Sequence, residues 1–386
     1  MKSKQSAALA KLRQACCLGL PSRVFMPMVV AQLRAEIPSA CCQFTWSSEA
    51  GRISNFWSDT FMPRRLAWII LHHKRYEADA GIGFRDLVLF GAPTGNMRAI
   101  WGRGFEQSAT YAAVFEPYGF KWFLDGVVRD AARPYGALAL IRRRDQPDFS
   151  ADEEDLLARA LPYVAHAMRI EACAPSRFVR GGRSALIVCD AQGEVLEWPE
   201  RAQQLALLAL VDAIDLDTTI EGAEFAEARR AMRQIAALLH SRLADDDEGH
   251  GAMPTLVRRN GWGEFVFRGY RLAPQRIGVL IEQSVPLEAH LLERVNTTAL
   301  STRQKEVALL SAKGLPNAQI AQQLNLTPQT VKDYFKGIYA RLDINSREEL
   351  VQRLSADTPR RWPERRAHIT PHGEVRKRAS LPTLQA

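Results

Sequence analysis

Long apolar runs are missing from this chain, and so are the residue groupings on which most enzyme chemistry depends. No stretch approaches the roughly 18 consecutive apolar residues of a membrane-spanning helix. The longest candidate, between Leu205 and Val211, is far too short. Lys11 and Arg13 interrupt what would have to be the apolar segment of a secretory leader. These absences predict a cytoplasmic protein without a membrane partner. Histidines are scarce, eight in 386 residues, and none stands at metal-ligand spacing from the six cysteines. Cys16-Cys17 and Cys41-Cys42 are vicinal pairs, and adjacent cysteines rarely bridge each other without backbone distortion. They read as reduced thiols acting as small hydrophobes, with a thiol sensor as the alternative. There is no Walker A loop, no His-Glu-x-x-His, no Gly-x-Ser-x-Gly and no Gly-x-Gly-x-x-Gly behind a strand. Gly81-Ile82-Gly83 and Gly91-Ala92-Pro93-Thr94-Gly95 lack the completing residues. The chain is therefore not expected to be an enzyme, and no cofactor or metal is assigned to it.

What is present is positive charge, unevenly placed. The net charge is +8. Residues 296–354 hold eight Lys/Arg against five Asp/Glu, and residues 355–386 hold seven against three, which leaves about +1 for residues 1–295. A basic excess confined to one end is the footprint of a chain that meets phosphate there. With 47% hydrophobic residues the remainder can build ordinary cores, and the length suggests about two to four domains.

Residues 300–354 read as four short helices with explicit boundaries. Ser301 and Gln304 fit a capping box, Gly314 ends the first helix, and Asn317 is placed to cap the second. Asn325 sits at a turn requiring positive φ, and Thr327-Pro328 opens the third helix as cap and first residue. At about 100° per residue, Val331, Phe335, Ile338 and Leu342 form one apolar stripe of that helix, expected against Val307, Leu310, Ile320 and Leu324. Gln329, Lys332, Asp333, Lys336 and Ala340 fall on the other side. A helix divided this way can bury one face and lay the other in a major groove.

Those residues resemble the DNA-binding domain of the LuxR family of transcriptional regulators. The matching positions are Glu306-Val307, Gly314-Leu315, Ile320-Ala321, Thr330-Val331-Lys332, Leu342, Ile344 and Ser346-Arg347. Departures are Pro316, Asn325 and a helix-interior Gly337, which costs on the order of 1 kcal/mol relative to Ala. The resemblance implies base reading by Lys332, Asp333 and Lys336, with Gln329 on the same face. Lys can donate to guanine O6 and N7, and Asp can accept from cytosine N4. Thr327, Thr330 and Arg341 are assigned to phosphates, which position without specifying. It also implies a homodimer on an inverted-repeat operator in double-stranded DNA, joined through Arg347, Leu350, Val351 and Leu354, with RNA polymerase as a further candidate contact. Glu306 reads as a structural carboxylate paired with a neighbouring helix.

Upstream, residues 1–37 look helical with a break at Gly19-Leu20-Pro21. Strands are expected over 41–47 and 52–58, a helix over 63–77, then a Gly-rich region through Gly104 and a helix over 107–115. Two more strands are expected over 121–129 and 136–142, and Ser150 caps a long helix with acidic residues in its first turn. This order of elements resembles a GAF-type sensory domain, within a first unit of residues 1–175. Its aromatic residues, Trp46, Trp57, Trp68, Trp101 and Trp122 foremost, are candidates to line a pocket for a small-molecule effector. They serve equally as a core that binds nothing. Residues 183–285 open with a hairpin around Asp190 and Gly193, continue through two helices and close with antiparallel strands, which resembles a PAS domain. A phosphoacceptor role for Asp190 is rejected, because the acidic pair and the alternating β–α pattern of a receiver are missing. Residues 286–299 read as a linker helix and 355–386 as a basic disordered tail. The expected fold class is α+β multidomain: GAF-like and PAS-like sensor domains, then an all-α four-helix helix-turn-helix domain. The expected function is sequence-specific transcriptional regulation. Acyl-homoserine-lactone quorum sensing is a narrower alternative, and a partner-interaction protein that uses its helical bundle without DNA is the alternative from another class.

Overall fold

Two largely antiparallel sheets, each packed by helices, precede an all-helical domain. The computed structural model describes residues 2–60, 83–96, 104–170, 177–211, 223–245, 254–273, 275–355, 365–369 and 375–376. Helices α1 (Lys2–Cys16) and α2 (Ser22–Glu36) part at the Gly-Leu-Pro break. After β1 (Cys41–Ser47) and β2 (Ile53–Ser58) come α3 (Phe84–Phe90), β3 (Thr94–Asn96), β4 (Phe120–Arg129), β5 (Pro134–Arg143) and α4 (Ala151–Arg169). The sheet order is β2-β1-β5-β4-β3. One face carries Cys42, Phe44, Leu138 and Leu140, buried under Met26, Val29, Leu157 and Leu161 of α2 and α4. Ser150 Oγ accepts from Glu153 N while the Glu153 carboxylate accepts from Ser150 N, the expected start of α4.

Two local expectations change. Helix α3 lies in the stretch read as Gly-rich, because Leu87 and Val88 pack on Val127 and Ala137 of the sheet. Tertiary burial outweighs the flanking glycines. The single helix expected over 107–115 is instead a 3₁₀ turn at Phe105–Gln107, a π-helical turn at Tyr111–Phe115 and another 3₁₀ turn at Glu116–Tyr118. This irregular run carries Phe105, Tyr111 and Phe115 onto the sheet's other face beside Phe120 and Phe123. The helix expected over 63–77 lies outside the described residues.

The second unit contains β6 (Phe178–Asp190), β7 (Val195–Glu197), α5 (Glu200–Leu210), α6 (Ala223–Asp245), β8 (Pro254–Asn260), β9 (Gly263–Ala273) and β10 (Arg276–Pro286). Its first and last strands are central neighbours, in the order β8-β9-β10-β6-β7, the same circuit as the first sheet. Helices α5 and α6 cover the face bearing Phe265, Phe267, Ile277 and Val279. Asp190 Oδ1 accepts from the backbone of Gln192 and Glu194 at 3.0 and 2.8 Å, so this aspartate holds the hairpin turn.

The chain ends with α7 (Leu287–Asn296), α8 (Thr302–Ala312), α9 (Asn317–Leu324), α10 (Pro328–Leu342), α11 (Arg347–Ser355), β11 (Arg365–Ile369) and β12 (Val375–Arg376). The last two correct the expectation of a wholly disordered tail. β11 pairs with β8, so backbone pairing at an open sheet edge supplies order that the tail's composition does not. The two upstream units touch directly. Trp46 meets Trp262 edge-on at 5.4 Å, Gln204 Nε2 donates to Ser58 O at 3.0 Å, and the Arg183 guanidinium lies over Trp57 at 5.4 Å. Among the described residues no helix is long and apolar enough to cross a membrane.

The expected tryptophan-lined pocket is not what the described residues build. Strand register puts Trp57 opposite Phe44, on the face packed by α2 and α4, and Trp46 is buried there too with its Nε1 on Ser22 Oγ at 3.0 Å. The other face is filled ring against ring, with Phe115 against Phe123 at 4.9 Å and Phe105 against Phe115 at 5.7 Å. Trp122 is half-buried and donates to Gln146 O at 2.8 Å. Trp46 and Trp57 are core residues, while Trp68 and Trp101 lie outside the described residues.

Burial also decides the thiol chemistry. It pushes the Cys16 thiol up to about 12, with Cys17 adding to the effect. It does the same at Cys189, helped by Asp190 and Glu194, and it also raises the Cys42 thiol well above its ordinary range, with Asp59 and Cys41 adding to the effect. Thiolates are the reactive species, so at neutral pH iodoacetamide is expected to label the exposed Cys17 well before the buried Cys16, Cys41, Cys42 or Cys189. Peptide mass spectrometry of a timed reaction checks this; comparable rates at Cys16 and Cys17 would contradict it.

Candidate nucleic-acid interface

Each helix boundary of the C-terminal domain is set by one or two local bonds. Gln304 N donates to Ser301 Oγ at 3.4 Å and Ser301 N to Gln304 Oε1 at 3.0 Å, which starts α8. Gly314, at φ +91, ends it. Asn325 adopts φ 51 after α9, the conformation that its position demands. Thr327 Oγ1 accepts from Thr330 N at 3.1 Å and Pro328 follows as the first residue of α10. Two details differ from expectation. Pro316, not Asn317, is the cap residue of α9, since Asn317 already has helical geometry. Asp343, at φ 52, ends α10 in the left-handed conformation, a non-glycine solution that only the structure reveals.

The apolar stripe of α10 is buried: Val331 and Ile338 fully, Phe335 and Leu342 nearly so. It rests on Val307 of α8 and Ile320 of α9, both fully buried, with Leu310 and Leu324 partly covered at the margin. This fixes the rotation of α10 about its axis. Gln329, Lys332, Asp333, Lys336 and Ala340 are consequently all exposed.

Three of those side chains already interact along the helix. Gln329 Nε2 donates to Asp333 Oδ1 at 3.3 Å, and Lys336 Nζ lies 3.8 Å from the same oxygen. The Lys336 and Asp333 side chains are 80% and 58% exposed, so this pair contributes little to stability and separates easily. Donor, acceptor and donor are thereby arrayed over about two turns, the pattern able to exchange intrahelical partners for base edges. Lys332 projects from the turn between and has no hydrogen bond or ion pair among the described residues.

The other expected contacts are placed less favourably. Thr327 is committed to capping, and its hydroxyl and that of Thr330 lie 2.8 Å apart. Arg341 turns across the bundle, where Nη1 donates to Ala299 O and Gln304 Oε1 at 3.3 and 3.4 Å. Gln304 also explains Gly337: a Cβ there would lie 2.8 Å from Gln304 Nε2. The helix-interior glycine makes room for the capping box of α8.

The proposed dimer residues need correction. Leu350 is fully buried and Leu354 nearly so within the protomer, where α11 packs on α7 and α8. The Arg347 guanidinium donates to Ser311 O at 3.1 Å and to Leu315 O, satisfying carbonyls where α8 ends. Arg347, Leu350 and Leu354 therefore hold the domain together; of the expected set Val351 and Arg347 are partly exposed on α11, and Arg347 is engaged within the protomer. Amphipathic spacing alone did not say which partner the apolar face would meet. Glu306 pairs with Arg303 at 2.7 Å in its own helix and lies 3.7 Å from Arg13 of α1. Its reading as a structural carboxylate fits this placement.

Residues 298–354 match the family model described as bacterial regulatory proteins, luxR family. The match begins just before α8 and ends at Leu354 in α11. The chain thus carries a LuxR-type helix-turn-helix domain, the domain of a DNA-binding transcription regulator. No curated protein matches the chain.

Proposed function

We propose that this LuxR-type domain makes the chain a sequence-specific transcriptional regulator in which α10 enters the major groove. The observation that carries the reading is the division of α10. Four buried apolar residues lock its orientation, while Gln329, Lys332, Asp333 and Lys336 are exposed on the opposite side. Lys332 and Lys336 would donate to guanine acceptors and Asp333 would accept from cytosine N4. An acidic group facing DNA weakens attraction to phosphate, so Asp333 acts in selection. Thr330 and Thr327, at the N-terminal end of α10, would meet phosphate, with Arg341 a weaker candidate because one of its nitrogens is engaged.

Binding as a homodimer to inverted half-sites belongs to the same reading. Its two-fold surface would use the outer side of α11, from Val351 and Gln352, not the buried leucines. The two sheets upstream share one strand circuit, which supports reading them as GAF-like and PAS-like modules that modulate the reader. A salt titration tests the electrostatic part. Each phosphate neutralised contributes a slope of about −0.9 in log K against log salt. A mobility-shift series over increasing potassium chloride is expected to give a negative slope of several units. A slope near zero would favour a bundle that contacts protein instead of DNA.

A further inference from the structure

In the order β8-β9-β10-β6-β7, β8 would be an edge strand with a row of unpaired N–H and C=O groups, a ready template for another strand. β11 occupies that edge. Arg365 stands opposite Pro254, Arg366 opposite Thr255, Ala367 opposite Leu256 and His368 opposite Val257. The pairing is parallel, whereas the other strand pairs of this sheet are antiparallel. Parallel neighbours cannot be joined by a hairpin and need a crossover. In this chain the crossover consists of β9, β10, α7 and the entire helix-turn-helix domain. The reader is therefore an insertion between two strands of an upstream sheet, attached to it through α7 at one end and through β11 at the other.

We propose that residues 365–369 are a strap acting in cis: a strand from beyond the reader that docks on the β8 edge, holds the reader against the upstream body and opposes DNA binding. A domain on one tether reorients freely. A second tether removes most of that freedom, and the entropy of closing such a loop rises only slowly with its length. Main-chain hydrogen bonds of an added strand are sufficient for such docking. A further contact restrains the reader from the body's side, since α1 packs on α7 and Arg13 reaches Glu306 at 3.7 Å. Two readers on inverted half-sites must stand about 34 Å apart, in an orientation dictated by the duplex. A strapped reader meets that demand only by straining or releasing its second tether. DNA also competes for the strap itself: residues 355–386 carry seven Lys/Arg against three Asp/Glu and gain from the phosphate field once off β8. The DNA half of this proposal rests on the function proposed above; the strand docking does not.

Ala367→Pro in the full chain separates these parts, because proline removes an N–H and blocks the ladder without altering charge. Hydrogen exchange read by mass spectrometry is expected to show residues 254–260 exchanging about tenfold faster or more in the variant, with β6 and β10 unchanged as the control for folding. A chain truncated after Ser355 is expected to show the same change. Mobility shift is expected to show the Ala367→Pro variant binding its operator about threefold tighter or more, the freedom restored by losing one tether. Unchanged exchange at 254–260 would overturn the strap whether or not the chain binds DNA. Protection there that grows with protein concentration would mean that the strand comes from a second copy, which also overturns it. Faster exchange with unchanged operator affinity would overturn the opposition to DNA binding.

Discussion

With Lys332 and Lys336 both replaced by alanine, sequence-specific binding is expected to be lost at concentrations where the wild-type chain saturates its site. Each lysine is exposed on the side of α10 opposite Val331, Phe335, Ile338 and Leu342, and neither supports the fold. Lys336 has one weak intrahelical partner in Asp333, and Lys332 has none among the described residues. A base contact of this kind contributes about 1–3 kcal/mol, and 1.4 kcal/mol is about a factor of ten in affinity. The circular dichroism spectrum and the melting temperature are expected to stay within error of wild type, which separates a lost contact from a lost domain. Asp333→Asn is expected to behave differently. It removes a negative charge facing DNA, so total affinity for arbitrary duplex rises while discrimination at one base pair of each half-site falls. Mobility shifts on matched and single-substituted duplexes check both. Unchanged affinity in the double lysine variant would mean that α10 does not face the groove in the proposed rotation.

Arg142→Ala is expected to be the most damaging single change in the first unit, at about 3–5 kcal/mol, the range for breaking a buried ion pair by removing one partner. The Arg142 side chain is 7% exposed, and its Nη2 donates to Glu153 Oε1 at 2.5 Å. The same guanidinium donates to the carbonyls of Pro38, Pro147 and Asp148 and lies over the Phe149 ring at 4.1 Å. Alanine strands all of these acceptors and the first turn of α4 with them. Glu153→Gln tests the decomposition: glutamine can still close the capping box, so its cost is expected to be smaller. Acid should expose the same pair. Burial pushes the Glu153 carboxyl up, but hydrogen bonds from Arg142 and Ser150 outweigh it, and its folded pKa lies below the ordinary value of 4.5. A carboxylate with a depressed folded pKa contributes stability that is full above that ordinary value and is lost as pH falls through the folded one. Urea melts at pH 7 and at pH 3 are therefore expected to show a smaller acid loss for Arg142→Ala than for wild type.

The C-terminal domain was legible because its information is local. Ser301, Gly314, Asn325 and Thr327 each act through bonds within a few residues, and the stripe on α10 follows from helical periodicity alone. The linear pattern could not show what the apolar residues of α11 touch: Leu350 and Leu354 are equally suited to a second copy and to α7, and the protomer uses them itself. The tryptophans pose the same problem. Their number suggests a pocket, yet strand register places Trp46 and Trp57 in the helix-covered core, and register is a long-range property. Helix α3 and the π-helical turn are also products of tertiary packing. The strand at 365–369 is the extreme case, since its partner lies more than a hundred residues away and pairs through backbone that carries no sequence signal.

Selection from a pool of random duplexes by the full chain tests the central claim most directly. The expected result is enrichment of one motif made of two inverted halves about one helical turn apart, retained by Arg13→Ala and lost by Lys332→Ala/Lys336→Ala. A pool that stays random after repeated rounds at low salt, with the domain folded, would contradict the assignment of α10 as a reader of DNA.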